Sequence, residues 1–304
     1  MMKNKKRNYA FTMLELVFVI VIMGIIGKFG VEFLAQAYKG FIFSKINNEL
    51  QANSAYAVEV ISKRLEHRIK QSAIYRNLTL AAPNFRSLDS GSDANATVLE
   101  WIGTDIEGYR NVTWSGVIDL NASIAADRII SLNTNTTNIN ALIQTLSDSN
   151  SVVNDAAIYF VGSFLANNEW GWDGNATKFN TQANVDIHPI NSNGVTNQFV
   201  SPTGTFSGVS AKEYYKLAWT AYAVALEADP SGTMDNLYLY SNYQPWKGEQ
   251  YDDAGIGIDR QLLMQNVSSF QFRAAGSLMK IQVCTQSDLS SNEEYSLCKE
   301  KTIY

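Results

Sequence analysis

The stretch Phe-Thr-Met-Leu-Glu at residues 11–15 opens an apolar run that continues to residue 27. Glu15 is the only charged residue between Arg7 and Lys28. An α-helix rises about 1.5 Å per residue, so the roughly 20 residues from 11 to 30 just span the hydrocarbon core of a bilayer. The sequence therefore predicts a membrane-spanning helix with one carboxylate near its N-terminal end.

A basic segment precedes the apolar run, with four cations between Lys3 and Arg7. Such a charge bias favours a cytoplasmic N-terminus and sends the remainder of the chain outward. A secretory signal peptide is cleaved after its apolar core, whereas the plausible cleavage point here lies before it, between Ala10 and Phe11. Cleavage there would remove residues 1–10 as a leader and leave the apolar segment on the mature chain.

This arrangement resembles the class III signal of the type IV pilin and pseudopilin family, in which Gly is followed by Phe-Thr-Leu, a hydrophobic residue and Glu. The matching positions are Phe11, Thr12, Met13, Leu14 and Glu15. Ala10 stands where the family usually has Gly, which exchanges one small residue for another. The resemblance implies a prepilin peptidase that cleaves after Ala10 and methylates Phe11.

Glu15 has two interpretations. A carboxylate inside a membrane segment costs roughly 2.5–3.5 kcal/mol on insertion scales, so it needs a partner or a position near the headgroups. In the first interpretation Glu15 lies one turn into the helix and is solvated there. The second follows from the resemblance: in the family this glutamate faces the free amino group of a neighbouring subunit, here that of Phe11. A charge pair buried among packed helices would then favour one stagger of the subunits.

Apolar residues beyond Lys28 recur at helical spacing. The stripe consists of Ile46, Leu50, Ala57, Ile61, Leu65 and Ile69. No proline precedes Pro83, so nothing forces the helix to break. We therefore predict an amphipathic continuation of the helix over residues 31–76, covered by a globular, β-rich head formed by residues 77–304.

Two features resemble a minor subunit of the family. Glu32 stands where its major members usually carry a proline, and the retained Glu15 argues against the tip-most, K-type minor pseudopilin. The order of the segments from Leu237 through Trp246 to Cys284 is loosely similar to J-type minor pseudopilins and W-type minor pilins.

The C-terminal third is the most strand-like part of the chain. Aromatic and β-branched residues bounded by turn signals predict strands at residues 215–226, 237–243, 262–273, 278–284 and 297–303. Further strands are predicted at 97–102, 112–120, 128–132 and 156–164, with a short helix at 139–146. Together these elements predict an α+β fold, pilin-like in that an antiparallel sheet packs on the C-terminal half of the long helix. The polar region 166–210 is expected to form a long surface excursion.

Cys284 and Cys298 are the only cysteines. A pair at this spacing in an exported domain is predicted to form a disulfide, which could contribute roughly 3 kcal/mol by closing a loop of about 15 residues. Two free thiols are the alternative.

The composition argues against several classes of function. The net charge is −5, and loss of the leader's cations makes the mature chain more acidic still, so general nucleic-acid binding is not expected. The sequence has neither a phosphate-binding Gly-rich loop nor a Cys/His zinc motif. His67 is expected on a solvated helix face and His188 in a loop before Pro189. No catalytic constellation emerges, and we predict that the protein is not an enzyme.

Calcium is the one metal that the sequence leaves open, although no cofactor is predicted. The candidate oxygen ligands are Asp252, Asp253 and Asp259 in one stretch and Asp173 with Asn175 in another. Neither stretch has EF-hand spacing, and acidic turns without metal are the alternative.

Two further patterns have both a functional and an ordinary interpretation. Trp170, Trp172 and Trp246 could form an exposed surface for a partner or close the core of the head. The asparagines that follow an acid by two residues and precede Ser or Thr by two resemble acceptors of bacterial N-linked glycosylation, and the alternative is coincidence in an Asn-rich chain. These are Asn95, Asn121 and Asn175.

The resemblance implies a minor pseudopilin or minor pilin, anchored in the bacterial inner membrane with a cytoplasmic N-terminus and a periplasmic head, and then part of a filament or its tip. Its partners would be the prepilin peptidase and other pilin or pseudopilin subunits. The alternative is a binding module at a pilus tip, contacting a surface, a glycan or DNA through residues 166–210. A membrane-anchored enzyme is a third possibility. The sequence does not separate type II secretion from a type IV pilus or DNA-uptake machine.

Overall fold

A computed structural model describes residues 12–91, 93–123, 127–163, 169–230, 232, 234–255, 257–287 and 295–304. These residues form an α+β fold with a long, apolar N-terminal helix and a large antiparallel sheet, which confirms the predicted class. The chain divides into two compact units, Met1–Gln51 and Ala52–Tyr304.

The first element is the helix α1 (Met13–Glu66). The strands and helices that follow are β1 (Ile74–Arg76), β2 (Phe85–Ser87), β3 (Val98–Ile102), α2 (Ile106–Arg110), β4 (Arg128–Ile130), α3 (Thr136–Leu146), β5 (Ala157–Phe160), β6 (His188–Pro189), β7 (Gln198–Val200), β8 (Tyr215–Ala218), β9 (Ala221–Ala228), β10 (Asp235–Tyr243), β11 (Asp259–Ala275), β12 (Leu278–Gln286) and β13 (Ser296–Ile303). Short 3-10 helices lie at Lys70–Ser72, Leu88–Ser90, Val153–Asp155, Ala176–Asn180, Gln182–Asn184 and Pro245–Lys247.

Helix α1 ends ten residues before the predicted boundary, so the predicted helix over residues 67–76 is wrong. The backbone N–H of Arg68 already turns to the carbonyl of Leu65, three residues back, at 3.2 Å. The N–H of Ile69 then donates to the carbonyl of Ile102 at 2.9 Å, and the chain enters β1 as a partner of β3. The helical spacing of the apolar residues predicted a longer helix because Ile69 continues that spacing. Ile69 is fully buried, but it lies outside the helix.

Within the described residues, eight strands form one antiparallel sheet in the order β13-β12-β11-β10-β9-β3-β1-β2. A two-stranded pair, β4 with β7, and a three-stranded sheet, β6-β5-β8, lie apart from it. The last strands follow one another along the chain. Between β11 and β12 the register pairs Ala275 with Leu278, and Gly276 supplies the positive φ of 60° that this two-residue turn requires.

Most of the predicted strands are present. The four segments from 237 to 303 are confirmed as β10 to β13, and the predicted helix is confirmed as α3, whose first turn is capped by the Asn135 side chain. The segment 215–226 forms two strands, β8 and β9, that belong to different sheets. The strand predicted at 112–120 is wrong: Val112 has a positive φ of 55°, and only isolated bridges occur at Val117 and Ile118.

The described part of the predicted surface excursion, residues 169–210, is packed into the head, so that prediction is also wrong. Its apolar side chains are separated by polar turn residues, which hides any periodicity in the sequence. The buried ones are Trp170, Trp172, Phe179, Val185, Ile187, Ile190, Phe199, Phe206 and Val209.

Helix α1 packs against one face of the large sheet through its last three turns. Ala57, Ile61 and Leu65 are fully buried in a cluster that includes inward-facing residues of β10 to β13. The other face is covered too, because Val224 of β9 belongs to the helix-facing cluster whereas its neighbours Ala223 and Ala225 belong to a second cluster. Successive strand residues point to opposite faces, so the centre of the sheet lies between two apolar layers.

Shortening a side chain on the buried face of α1 tests this packing. We expect Ile61→Ala to lower the free energy of unfolding by about 2–5 kcal/mol, because it removes buried methyl groups and leaves a cavity. Lys63→Ala, on the exposed side of the same turn, should change it by less than about 0.5 kcal/mol. Denaturant unfolding of the detergent-solubilised chain, followed by tryptophan fluorescence, measures both. Equal effects of the two substitutions would contradict this packing.

Candidate functional site

The N-terminal part of α1 exposes large apolar side chains on all sides. Phe18, Ile26 and Phe33 are 66%, 65% and 70% exposed. Among the described residues, α1 is the one helix long and apolar enough to cross a membrane, and none of its most apolar window is buried. Exposure of an apolar surface of this size to water is unfavourable, so this part of the helix is suited to contact with lipid or with other apolar helices.

Glu15 lies in the first turn of α1. Its backbone N–H donates to the Thr12 carbonyl at 3.0 Å and approaches the Thr12 hydroxyl at 3.4 Å, so Thr12 occupies the N-cap position and Glu15 the third helical position. A carboxylate there is favoured by the helix dipole by roughly 0.3–1 kcal/mol. No ion pair joins Glu15 to any described residue, and the predicted processing residues, Ala10 and Phe11, lie outside the described part of the chain.

The first charged residue of α1 after the apolar run is Lys28, directly after residue 27. Lys28 and Glu32 approach at 4.0 Å as an exposed pair, and the helix continues through Glu32. Exposed pairs contribute little to stability, and large apolar side chains remain exposed beyond this one, at Phe33, Leu34 and Phe41.

Polar contacts tie the last turns of α1 to two different strands. The Arg64 guanidinium donates to the Tyr222 hydroxyl on β9 at 2.9 Å, and Lys301 on β13 forms a 2.7 Å ion pair with Glu59. The hydrogen bond and charge of Lys301 lower the pKa of the Glu59 carboxyl. Both contacts are partly exposed, so they supplement the apolar packing of these turns and do not replace it.

The predicted disulfide is present. Cys284 on β12 lies directly opposite Cys298 on β13, the Cα atoms are 4.0 Å apart, and the two sulfur atoms are bonded. The bond holds the edge strand β13, which also carries Lys301, to the rest of the sheet. Disulfides persist in oxidising compartments, so this pair is suited to a domain outside the cytoplasm.

A buried ion pair that the sequence analysis missed lies between β1 and β3. The Arg76 guanidinium contacts both the Glu100 carboxylate and the Trp172 carbonyl, and the Tyr243 hydroxyl donates to Glu100 at 2.9 Å. Burial raises the pKa of the Glu100 carboxyl, while Arg76 and Tyr243 oppose the rise. The feature of the sequence that could have indicated this ion pair is Glu100, an acid among the apolar residues of β3.

The Arg76–Glu100 cluster links β1, β3 and the segment that contains Trp172. The carboxylate has a partner on each oxygen, and neither the cavity of about 300 Å³ beside Phe272 nor the one of about 190 Å³ beside Met279 is lined by it. A buried ion pair costs several kcal/mol when one partner is removed. It therefore cross-links three separate parts of the head.

The two histidines differ in environment. His67 follows the end of α1 and is half-buried. The prediction that His188 lies in a loop is wrong. His188 pairs with Ile158 in a short strand, and its ring centroid lies 5.4 Å from that of Phe160. Burial lowers the pKa of His188 to about 4, and its Nδ1 atom has no hydrogen-bond partner within the part of the chain that the structure describes.

The calcium candidates are used in local contacts. Asp173 forms a 2.7 Å ion pair with Lys178, and Asp253 accepts a hydrogen bond from the backbone of Gln250 at 2.8 Å. Asp259 is the first residue of β11. Among the described residues there is no group of three or more His, Cys, Asp or Glu side chains arranged to hold a metal. Calcium binding remains an untested hypothesis.

The three tryptophans lie in the core. Trp170, Trp172 and Trp246 are 2%, 3% and 2% exposed, and the indole nitrogens of the last two donate to backbone carbonyls. An exposed aromatic surface at these positions is therefore excluded. Of the two features that suggested a binding module, the exposed tryptophans are therefore removed, and the Asn-rich composition of residues 166–210 is the other.

Comparison with protein-family models, with curated proteins and with solved structures gives no match for this chain. What the chain does therefore has to follow from its own residues: the uncovered apolar helix, the position of Glu15 and the disulfide-linked head.

The buried histidine makes the stability of the head depend on pH. In the unfolded chain the His188 side chain binds a proton below its ordinary pKa of about 6.5. In the folded protein the same side chain stays neutral until the pH approaches its lowered pKa of about 4. His188 should therefore cost the protein about 3 kcal/mol of unfolding free energy as the pH falls from 7 to 4. His188→Leu should remove that part of the pH dependence, as measured by denaturant unfolding at each pH.

Phe160→Leu is the matched control, because it alters the packing around the same ring without changing a titratable group. It should lower stability equally at pH 7 and pH 4. A His188→Leu protein with the wild-type slope between these pH values would contradict the assignment.

Proposed function

We propose that this chain is a minor pseudopilin or minor pilin, a structural subunit of a type II secretion pseudopilus or a type IV pilus. The observation that carries the proposal is the N-terminal helix: an apolar surface that the chain leaves uncovered, with the single acid Glu15 in its first turn, after a basic leader. The Phe-Thr-Met-Leu-Glu sequence supplies the resemblance to the family.

Two independent features agree on the proposed topology. The cations between Lys3 and Arg7 favour a cytoplasmic N-terminus, and the disulfide between Cys284 and Cys298 favours an oxidising compartment for the head. A single crossing by the apolar part of α1 satisfies both. The protein would therefore lie in the inner membrane with a periplasmic head before it enters a filament.

Assembly in this proposal exchanges lipid for neighbouring helices around the same apolar surface. Apolar contact alone does not select one stagger of two helices whose surfaces are uniformly apolar, because a shift of one helix along the other by one turn changes the free energy little. A carboxylate in the first turn does select, since Glu15 in an apolar bundle is costly unless a cation lies beside it. The free amino group of Phe11 on an adjacent subunit, exposed by cleavage after Ala10, would provide that cation.

The head contributes a rigid shape. Its sheet is held to the last turns of α1 by the Ile61 face and by the Arg64 and Lys301 contacts. In this proposal the head contacts other minor subunits and performs no chemistry.

Processing at the proposed site gives a direct test. We expect the chain isolated from its native membranes to begin at Phe11 and to carry a methyl group on its amino nitrogen. Intact mass and N-terminal peptide mapping measure this. A chain that still carries residues 1–10 would be an ordinary membrane-anchored protein, and the proposal would be abandoned.

The role of Glu15 is tested by removal of its charge. Glu15→Gln should reduce association with partner subunits by about tenfold or more, because the buried charge pair is lost while the side-chain shape is kept. Cross-linking and co-purification from membranes measure the association. Glu32→Gln is the matched control, because it removes an acid from the same helix at an exposed pair, and it should assemble as the wild type does. If the Glu15→Gln protein also assembles normally, Glu15 does not set the stagger.

A further inference from the structure

Three segments of the head share the sequence Asp-x-Asn-Ala followed by Ser or Thr. They are residues 93–97, 119–123 and 173–177. Four other asparagines also precede Ser or Thr by two residues but lack the acid two residues before. These are Asn77, Asn111, Asn135 and Asn266.

The structure gives the three segments one common local geometry. In each, the asparagine is exposed and its backbone N–H donates to the carboxylate of the aspartate two residues earlier. The distances are 2.9 Å at Asn95, 3.0 Å at Asn121 and 3.2 Å at Asn175. The acid and the asparagine are thus held side by side on surface turns, which is where N-glycosylation acceptors lie.

The asparagines without the acid provide a contrast. Asn77 is 2% exposed, and its amide donates to Asp93 at 2.8 Å, so it is inaccessible. Asn111 is exposed, but Thr113 beside it is buried and its hydroxyl donates to the Gly108 carbonyl at 3.1 Å. Ser123 beside Asn121 is half-buried and Thr177 beside Asn175 is exposed, so these two acid-preceded sites differ from Asn77 and Asn111 in structure as well as in sequence.

We propose that Asn95, Asn121 and Asn175 are acceptors of an N-linked oligosaccharide donated by a polyprenyl diphosphate carrier. In the transfer, the side-chain Nδ2 of the asparagine forms a bond to the anomeric carbon of the first sugar. The bond from that carbon to the diphosphate oxygen breaks, the lipid diphosphate leaves, and the proton from Nδ2 passes to a base of the transferase. No oxidant or reductant is needed.

The geometry ranks the three sites. Around Asn175 the aspartate, the asparagine and Thr177 are all exposed, and the Thr177 hydroxyl bonds to the Oδ1 side of the asparagine amide at 2.6 Å, which does not occupy Nδ2. At Asn121 the Ser123 hydroxyl is held by the Asp119 carbonyl at 2.5 Å and the Ile130 N–H at 2.9 Å. A transferase must displace these contacts before it can use the hydroxyl.

Asn95 is the most restricted acceptor. The Thr97 hydroxyl beside it is buried, and its backbone donates to Arg76 and accepts from Leu226 at the start of β3. Modification there requires the strand end to open. The expected order of occupancy is therefore Asn175, then Asn121, then Asn95.

The reaction can be tested apart from the export that the proposed function requires. The purified, folded full chain in detergent is incubated with a purified bacterial oligosaccharyltransferase and a polyprenyl-diphosphate-linked oligosaccharide. Intact mass and glycopeptide mapping follow the transfer over time. We expect transfer to Asn175 first and at least tenfold faster than to Asn111, which has the same Asn-Xaa-Thr core without the acid.

Two variants sharpen the assay. Asn175→Gln should abolish the fastest transfer, whereas Asn111→Gln should leave the pattern unchanged. Asp173→Asn keeps a side-chain oxygen that can accept from the Asn175 backbone but removes the charge, and it should slow transfer to Asn175 at least tenfold. The inference is overturned if the folded chain accepts no oligosaccharide at any of the three sites, or if Asn111 is modified as fast as Asn175.

The chain taken from its native membranes separates this inference from the proposed function. A mature chain that begins at Phe11, contains the disulfide and carries no sugar at the three asparagines would overturn glycosylation and leave the assembly proposal intact. A chain that retains residues 1–10 but carries the sugar would do the reverse.

Discussion

The dominant constraint on this protein is the apolar surface of one long helix. From Met13 onward α1 presents large apolar side chains, and within the described residues the part of the helix that is buried comprises the turns around Ala57, Ile61 and Leu65. The remaining surface needs an apolar environment from outside, whether lipid or other helices. In the proposed function, the membrane anchor and the assembly surface would use the same residues, because both environments are apolar and differ mainly in how well they accommodate the charge of Glu15.

The head is organised to hold that helix firmly. Its sheet is covered on both faces, by α1 on one and by the segment containing Trp172 on the other. The Arg76–Glu100 pair joins the layers, since Arg76 on β1 reaches Glu100 on β3 and the backbone of Trp172 in the covering segment. Such a pair is costly to break, so it favours a single arrangement of the layers over slipped alternatives.

The sequence was informative where one local signal determines the outcome. The apolar run, the Cys284–Cys298 pair and the strands with alternating side chains were all predicted correctly. Prediction from the sequence failed where contacts with residues distant in the chain determine the local structure. Ile69 continues the helical period but is buried by a backbone bond to Ile102, and the tryptophans of residues 169–210 are drawn into the core by a sheet formed elsewhere in the chain. The partner of Glu100 could not be found because Arg76 was assigned to a helix.

Glu15 connects the local and the assembled structure, and its two interpretations are compatible. The contact with Thr12 uses the backbone N–H of Glu15, not its carboxylate, so the side chain can favour the helix start and still accept a cation from another subunit. In the membrane, the carboxylate lies within the first turn, where headgroups and the helix dipole reduce the cost of its charge. In a bundle of helices that solvation is lost. In the proposed function, a charge that the membrane tolerates would then have to be paired, and this pairing would give the assembly a direction and a register.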